Sequence, residues 1–507
     1  MTNPLHDTLF APHAERDDAF LRFADGGTLT HRAFAERAGR IAGALVEAGL
    51  QPGDRLAVQV AKSPDALALY AACVRAGIVL LPLNTAYTPA EISYFVGDAE
   101  AAMLVCDPAA LEALTPVARE AGARIMTLGA DGGGTLAEAV EGADAPEPAE
   151  RGTSDLAAFL YTSGTTGRSK GAMLSQDNLL SNAHVLTEAW RFTGDDVLIH
   201  ALPIFHTHGL FVAVNVSLMA GGSMIWLSRF DAGEVLAALP RATAMMGVPT
   251  FYVRLLDHPG LSADATKGMR LFVSGSAPML TDTHRAWTER TGHRILERYG
   301  MTETNMNTSN PYAGDRRPGT VGPPLPGVEV RVTGEGRAPL PAGETGMVEV
   351  RGPNVFRGYW NLPEKTAEEL GPDGWFVTGD LGVMSDDGYL SIVGREKDLV
   401  ISGGYNVYPK EVEQALDALP GVSESAVIGV PHPDLGEAVV AVYVPEAGAA
   451  PDAEALSAAL SEALARFKQP RRLIPVDALP RNTMGKVQKA VLRELYADAF
   501  APEGAGS

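Results

Sequence analysis

Residues 156–171 read LAAFLYTSGTTGRSKG, and the two halves of that stretch ask for different structures. Leu156 to Leu160 is a short, wholly apolar run, the pattern of a strand buried on both faces. Residues 161–171 then crowd glycines, serine and threonine hydroxyls and Lys170 into one loop. Backbone N–H groups and hydroxyls can donate to an oligophosphate there, and the lysine supplies charge. The spacing is not that of the common phosphate loop, because the residue five after Gly164 is Ser169 rather than a lysine neighbour. A strand feeding such a loop belongs at the carboxyl edge of an open α/β sheet, where anionic ligands bind.

The flanking sequence keeps that texture. Upstream, Thr30 caps an expected helix carrying Phe34, Ala38, Ile41 and Leu45 on one face and stopped by Gly49. Arg55 to Val60 reads as a strand, Ser63-Pro64 as a helix start, Ile78 to Leu83 as a strand, Thr88 to Glu91 as a capping box, and Ala102 to Cys106 as a strand. This βαβαβ alternation implies a parallel sheet with right-handed crossovers. Residues 129–154 read as a surface loop or weak boundary. Downstream, strands are expected near Val197 to His200, Ser223 to Trp226, Ala244 to Gly247, Leu271 to Ser274 and His293 to Glu297, giving a second α/β half. From Val328 the spacing turns to short β segments, and after Arg395 a separate α+β pattern begins. The expected fold is α/β: a large N-terminal domain (1–396) of two α/β sheet subdomains plus a small β unit, then a mobile α+β C-terminal domain (397–507).

The 507 residues correspond to about three domain-sized units. Lys and Arg number 41 against 62 Asp and Glu, a net charge of −21 that argues against a polyanion-binding surface such as nucleic acid requires. Two cysteines, Cys73 and Cys106, exclude a disulfide scaffold and a cysteine zinc site. Leu210 to Leu227 is broken by Asn215, Ser217, Gly221, Gly222 and Ser223, so it reads as a buried helix, turn and strand rather than a membrane span. The expectation is a cytoplasmic protein without membrane partner, monomeric or weakly homo-oligomeric.

Further clusters sit at expected strand ends: Gly275-Ser276-Ala277-Pro278, Tyr299-Gly300-Met301-Thr302-Glu303, Thr378-Gly379-Asp380, and Gly394-Arg395 running to Lys397-Asp398. Tyr299 can stack a purine, Glu303 can hold a hard cation, and Asp380 and Arg395 can meet ribose hydroxyls. Near the carboxy end, eight basic residues between Arg466 and Arg493 face a single acid, Asp477, against the acidic trend of the whole.

The ordered set of the loop at 161–171, GSAP at 275–278, YGMTE at 299–303, TGD at 378–380, Gly394-Arg395 with Asp398, and PRNTMGK at 480–486 resembles the acyl-adenylate-forming superfamily of acyl-CoA synthetases, adenylation domains and luciferases. The likeness spans nearly the whole chain. Within the family, HALPIFHTH at 200–208, GVPTFYVR at 247–254 and GMTETNMNTS at 300–309 resemble the malonate-activating branch. The resemblance implies ATP, Mg²⁺ and CoA, with acyl-AMP formed first and AMP then displaced by the CoA thiol. It implies ATP contacts at Thr162, Ser163, Gly164, Thr165, Thr166, Gly167, Lys170, Gly275, Ser276, Ala277, Tyr299, Gly300, Met301, Asp380 and Arg395. Thr165 and Glu303 would serve Mg²⁺, Thr302 the α-phosphate, and Lys486 the charge that brings carboxylate and phosphate together. Lys397 takes the hinge position, and Gly403, Gly404, Lys468 and Arg471 would meet CoA. His206, Thr207, Ser276 and Met306 would line the acid pocket. Arg254, on an apolar helix face, would pair the second carboxylate of malonate, because a buried guanidinium is costly unless paired. His206 and His208 offer no third ligand for a metal. Open alternatives are a ligase for another short acid such as methylmalonate, an adenylation domain feeding a carrier protein, and an inactive nucleotide-binding scaffold.

Overall fold

Side-chain caps written into the sequence set where the first helices begin. Ser63 accepts from the Ala66 N–H, Pro64 opens the helix Pro64–Ala76, and Gly77, at φ +69°, ends it. Thr88 and Glu91 form the reciprocal capping box of Pro89–Asp98. Thr30 accepts from Ala33 and starts His31–Glu47. The computed structural model describes residues 2–162, 169–402, 405–432, 435–464, 466–482 and 485–500.

Two large sheets build the first part. The six-stranded sheet runs Arg124–Thr127, Met103–Cys106, Arg55–Gln59, Val79–Pro82, Leu156–Thr162 and Lys170–Ser175, parallel except for its last strand. The eight-stranded sheet runs Asn305–Ser309, Leu296–Met301, Leu271–Ser274, Ala244–Gly247, Val197–His200, Ser223–Trp226, Ala19–Arg22 and Thr28–Thr30, antiparallel at both edges. One apolar core joins their inner faces through side chains such as Leu67, Tyr70, Phe211 and Val216. Each such leucine, fully buried, contributes about 1.5–3 kcal/mol. Residues 129–154, expected as loop, contain the short helix Thr135–Val140, whose Leu136 and Val140 reach the core.

The small β unit is a four-stranded antiparallel sheet: Glu329–Thr333, Thr345–Arg351, Phe376–Met384 and Leu390–Arg395. The carboxy-terminal part has its own five-stranded sheet around the long hairpin of Val422–His432 and Gly436–Pro445, with separate apolar clusters on its two faces. Leu210 to Leu227 is a π-turn (His208–Val214), a helix (Asn215–Ala220) and the strand Ser223–Trp226. Among the described residues no helix is long and apolar enough to cross a membrane.

One expectation about register fails. The strand placed at His293 to Glu297 instead occupies Leu296–Met301 and folds back onto Asn305–Ser309. Arg298, Tyr299 and Gly300 are therefore strand residues, not turn residues.

Candidate active site

A cavity of about 710 Å³ opens where the carboxyl ends of both large sheets meet the small β unit and the carboxy-terminal domain. Every part contributes: Thr162 and Lys170, then His206, Thr207, Ser276, Arg298, Thr302 and Glu303, then Arg395 and Lys397, and finally Asn482 and Lys486.

One end of the cavity is a wall of unsatisfied donors. Arg298 is 4% exposed, and its Nε and one terminal nitrogen have no hydrogen-bond partner among the described residues. Among the described residues no acid pairs with it, and burial pulls its pKa down to about 9, still cationic at neutral pH. Its guanidinium lies against the backbone at Gly275, where a Cβ would fall 2.4 Å from Cζ, so only glycine leaves room. The hydroxyls of Thr207 and Ser274 and Nε2 of His208 are also buried without partners. Such groups cost about 1–3 kcal/mol each unless a ligand or water meets them. His208 Nδ1 stands 3.2 Å from the Ser276 hydroxyl, and Ser276 holds a strained left-handed backbone at φ +71°. Burial first, then the charges of Arg298 and Lys486, lower the pKa of His206 to about 4, so it is neutral.

The opposite end is arranged around Glu303. Its carboxylate is 5% exposed, and burial raises its pKa. It accepts from Thr162 Oγ1 at 3.2 Å and meets the Tyr359 hydroxyl at 3.1 Å, but among the described residues no lysine or arginine forms an ion pair with it. Tyr359 gives its shorter bond, 2.6 Å, to Glu369. Lys170 is also tied to Glu369, at 3.0 Å, and lies 4.0 Å above the Tyr359 ring. Burial alone would raise the Glu369 pKa; the bonds from Tyr359 and Lys170 more than offset it, and the net shift is downward. Sequence reading found Lys170 and Glu303 but neither Tyr359 nor Glu369, which lies 199 residues from Lys170.

Lys486 arrives on a tight turn. Asn482 Oδ1 accepts from the Lys486 N–H at 2.9 Å, and Gly485, at φ +73°, bonds back to the Asn482 carbonyl at 2.9 Å. A Cβ on Gly485 would meet Thr250 Oγ1 at 2.9 Å, so the turn docks on the helix Pro249–Leu256 through bare backbone. Ion pairs Arg481–Glu424 and Lys489–Glu413 brace the turn from both sides. Lys486 remains accessible as a residue, yet its ammonium lines the cavity mouth. Desolvation there, with Arg395 and Lys397 nearby, lowers its pKa to about 8.

Other expected residues are placed differently. Gly300, Met301 and Met306 line the cavity with Thr302, whereas Gly275, Ala277, Tyr299 and Asp380 do not. The Tyr299 hydroxyl donates to Asp380 at 2.6 Å, and Arg395 pairs with the same carboxylate at 2.8 Å. Lys468 is held by Glu411 at 2.6 Å, and Arg471 is exposed. Ser163, Gly164, Thr165, Thr166, Gly167, Gly403 and Gly404 lie outside the described residues. The premise for Arg254 is corrected: the helix buries Tyr252 and Leu255, and Arg254 falls on its solvent side, outside the cavity lining. Water solvates that guanidinium, so it needs no anion. Of the two buried cations in the lining, Lys170 is paired with Glu369, and Arg298 has no acid partner among the described residues.

Comparison with known proteins agrees with this geometry. Residues 10–360 match the AMP-binding enzyme family and residues 411–486 the AMP-binding enzyme C-terminal domain. A feruloyl-CoA synthase of Amycolatopsis sp is 37% identical, covering 97% of this chain and 98% of the relative. A mitochondrial malonate–CoA ligase of Bos taurus is 36% identical, covering 85% and 80% respectively. ATP-bound MatB from Rhodopseudomonas palustris is 58% identical over 99% of this chain and 100% of that one, with a TM-score of 0.97; its apo form overlays with a TM-score of only 0.85. The chain belongs to the AMP-binding enzymes of the acyl-adenylate-forming superfamily and is an AMP-forming acyl-CoA ligase.

Proposed function

We propose that this ligase is a malonyl-CoA synthetase, joining malonate to CoA through malonyl-AMP with release of AMP and pyrophosphate. The observation that carries the choice is Arg298, a buried guanidinium in the cavity lining with no acid partner among the described residues. A monocarboxylate would leave it bare. The free carboxylate of malonate satisfies it with charge-assisted hydrogen bonds while the other carboxylate faces the nucleotide. The malonate–CoA ligase relatives support the same reading.

A carboxylate is a poor acyl electrophile until one oxygen becomes part of a leaving group. Attack on the α-phosphate brings two anions together, so positive charge must stand between them. Lys486 supplies it from the cavity lining, to which Thr302 also belongs. Glu303 suits Mg²⁺: the ion takes oxygen ligands, keeps waters, and needs one or two carboxylates with substrate phosphates. A buried carboxylate with no lysine or arginine paired to it among the described residues fits that demand, and Thr165 is the second candidate. Bound there, the ion would neutralise charge on the leaving pyrophosphate. Lys170 would exchange Glu369 for a phosphate oxygen.

In the second half-reaction the CoA thiol must reach the acyl carbon, which Lys486 and its turn now crowd. We infer that the carboxy-terminal domain turns about Lys397 and withdraws the lysine. The higher overlay on the ATP-bound relative than on the apo one supports a moving domain. Gly403, Gly404 and Arg471 remain the CoA candidates.

An acid-by-acid survey of CoA-dependent pyrophosphate release tests the reading. Malonate is expected to give the highest kcat/KM among malonate, methylmalonate, acetate, butyrate and ferulate. A monocarboxylate equalling malonate would overturn it.

A further inference from the structure

Lys62 belongs to none of the motifs above. It follows the strand Arg55–Gln59 at the carboxyl edge of the six-stranded sheet, one residue before the helix cap Ser63. Its ammonium nevertheless crosses to the eight-stranded sheet. Nζ donates to the carbonyls of His200 at 2.8 Å and Leu227 at 2.6 Å and to His200 Nδ1 at 2.8 Å, 4.3 Å from the Trp226 ring centre. An ammonium has three donors and no acceptor, and here three acceptors meet it with no carboxylate among the described residues at ion-pair distance. Burial pushes its pKa down.

The other nitrogen of His200 contacts the Gly209 carbonyl at 2.8 Å. A carbonyl only accepts, so Nε2 carries the proton and Nδ1 turns its lone pair to Lys62. Lys62 therefore fixes one tautomer of a neutral imidazole, and that imidazole fixes the Gly209 carbonyl. Gly209 is the second residue of the π-turn His208–Val214, directly after His206 and Thr207 of the donor wall. There is no slack at this point, because a Cβ on Gly209 would fall 2.0 Å from the Pro203 carbonyl oxygen. Single π-turns of this kind are frequent at functional sites.

We propose that Lys62 is a positioning residue for the acid-binding wall, acting through His200 and the Gly209 carbonyl. It sets where Thr207 and His208 stand beside Arg298. It also ties the wall to the six-stranded sheet, and so to the strand that leads into the phosphate loop. The inference rests on reading this wall as the malonate pocket.

Lys62→Met keeps the length of the side chain and removes the donors; His200→Phe keeps the ring and removes both nitrogens. KM for malonate and KM for ATP are measured separately for each, with melting curves. The expected result is a rise of about tenfold or more in KM for malonate with KM for ATP changed less than about twofold. The double variant should lose little more than the worse single one, since both residues act in one chain of bonds. If Lys62→Met proves insoluble, His200→Gln, whose amide can accept and donate, should lie closer to wild type than His200→Phe. Unchanged KM for malonate in a folded variant, or equal rises in both KM values, would overturn the proposal. Failure of the wild-type enzyme to turn over malonate would instead strike the malonate reading, and the same comparison would be made with the acid it does use.

Discussion

Arg298 and Lys486 are two cations in one cavity, held in opposite ways. Arg298 lies inside a strand paired on both sides, at Val273 and Ser274 and at Ser309, with its guanidinium pressed onto Gly275. The sheet fixes its backbone on both sides. Lys486 stands on a hairpin turn of another domain, braced by Arg481–Glu424 and Lys489–Glu413 within that domain. It touches the large domain through the backbone of Gly485 on Thr250. The fixed cation can discriminate between acids, because discrimination needs the same geometry in every cycle. The cation carried on the other domain would assist adenylation and, if that domain turns as proposed, leave room for a thiol. Breaking either cation should therefore damage a different quantity.

Lys486→Ala carries the largest expected effect. Adenylation, followed as malonate-dependent ATP–pyrophosphate exchange, should fall by about a thousandfold or more, the scale of losing a main electrostatic stabiliser. Thioester formation from supplied malonyl-AMP should stay within about threefold. Equal loss in both half-reactions would mean that the lysine does not withdraw.

Arg298→Gln comes next and reads selection rather than chemistry. Truncating one member of a buried charge pair costs about 2–5 kcal/mol, so kcat/KM for malonate should drop at least about thirtyfold while acetate is spared or improved. Arg254→Ala, a change at an exposed position, should stay within about twofold for every acid. A reversal of those two results would restore Arg254 as the selecting cation.

The difference between the cations is also a difference in legibility. Lys486 was readable because a short turn motif in a basic stretch needs no tertiary context. Arg298 was not, because the strand was expected to stop near Glu297. With the true span Leu296–Met301, alternation places Arg298 on the same face as Leu296, which belongs to the apolar core. A cation on the buried face of a strand was the available signal. Arg254 misled for the converse reason: its neighbours Tyr252 and Leu255 are buried, but the face they define turns away from it. The alternating sheets, the caps at Ser63 and Thr88 and the separate last domain follow from local rules. The Tyr359–Glu369–Lys170 cluster joins chain positions with no local signature and appears only in the folded molecule.

Titration sharpens the comparison further. The Lys486 amine, lowered to about 8, is charged below that pH and neutral above it. Its useful form is the charged one, so kcat/KM for adenylation should fall as pH rises through about 8. Lys486→Arg should remove that limb wherever it remains active, since a guanidinium keeps its proton. The thioester half-reaction should lack the limb. A limb shared by both half-reactions would assign it to another group.

A smaller expected effect than that of either cation concerns Met306, which is buried and lines the same cavity. It pairs with Gly300 across the edge strand and its neighbour, and a Cβ on Gly300 would come 2.7 Å from its terminal methyl. The thioether therefore already fills the space over that glycine, and a methyl on the carbon between two carboxylates must compete for it. Methionine is unbranched and adaptable, so the penalty should be moderate, about 1–2 kcal/mol. Methylmalonate should give a kcat/KM about five- to thirtyfold below malonate, and Met306→Ala should narrow that gap chiefly by improving methylmalonate. Methylmalonate matching malonate in the wild-type enzyme would remove Met306 as a limit on bulk. It would leave Arg298 untouched, because that residue reads the number of carboxylates and not what lies between them.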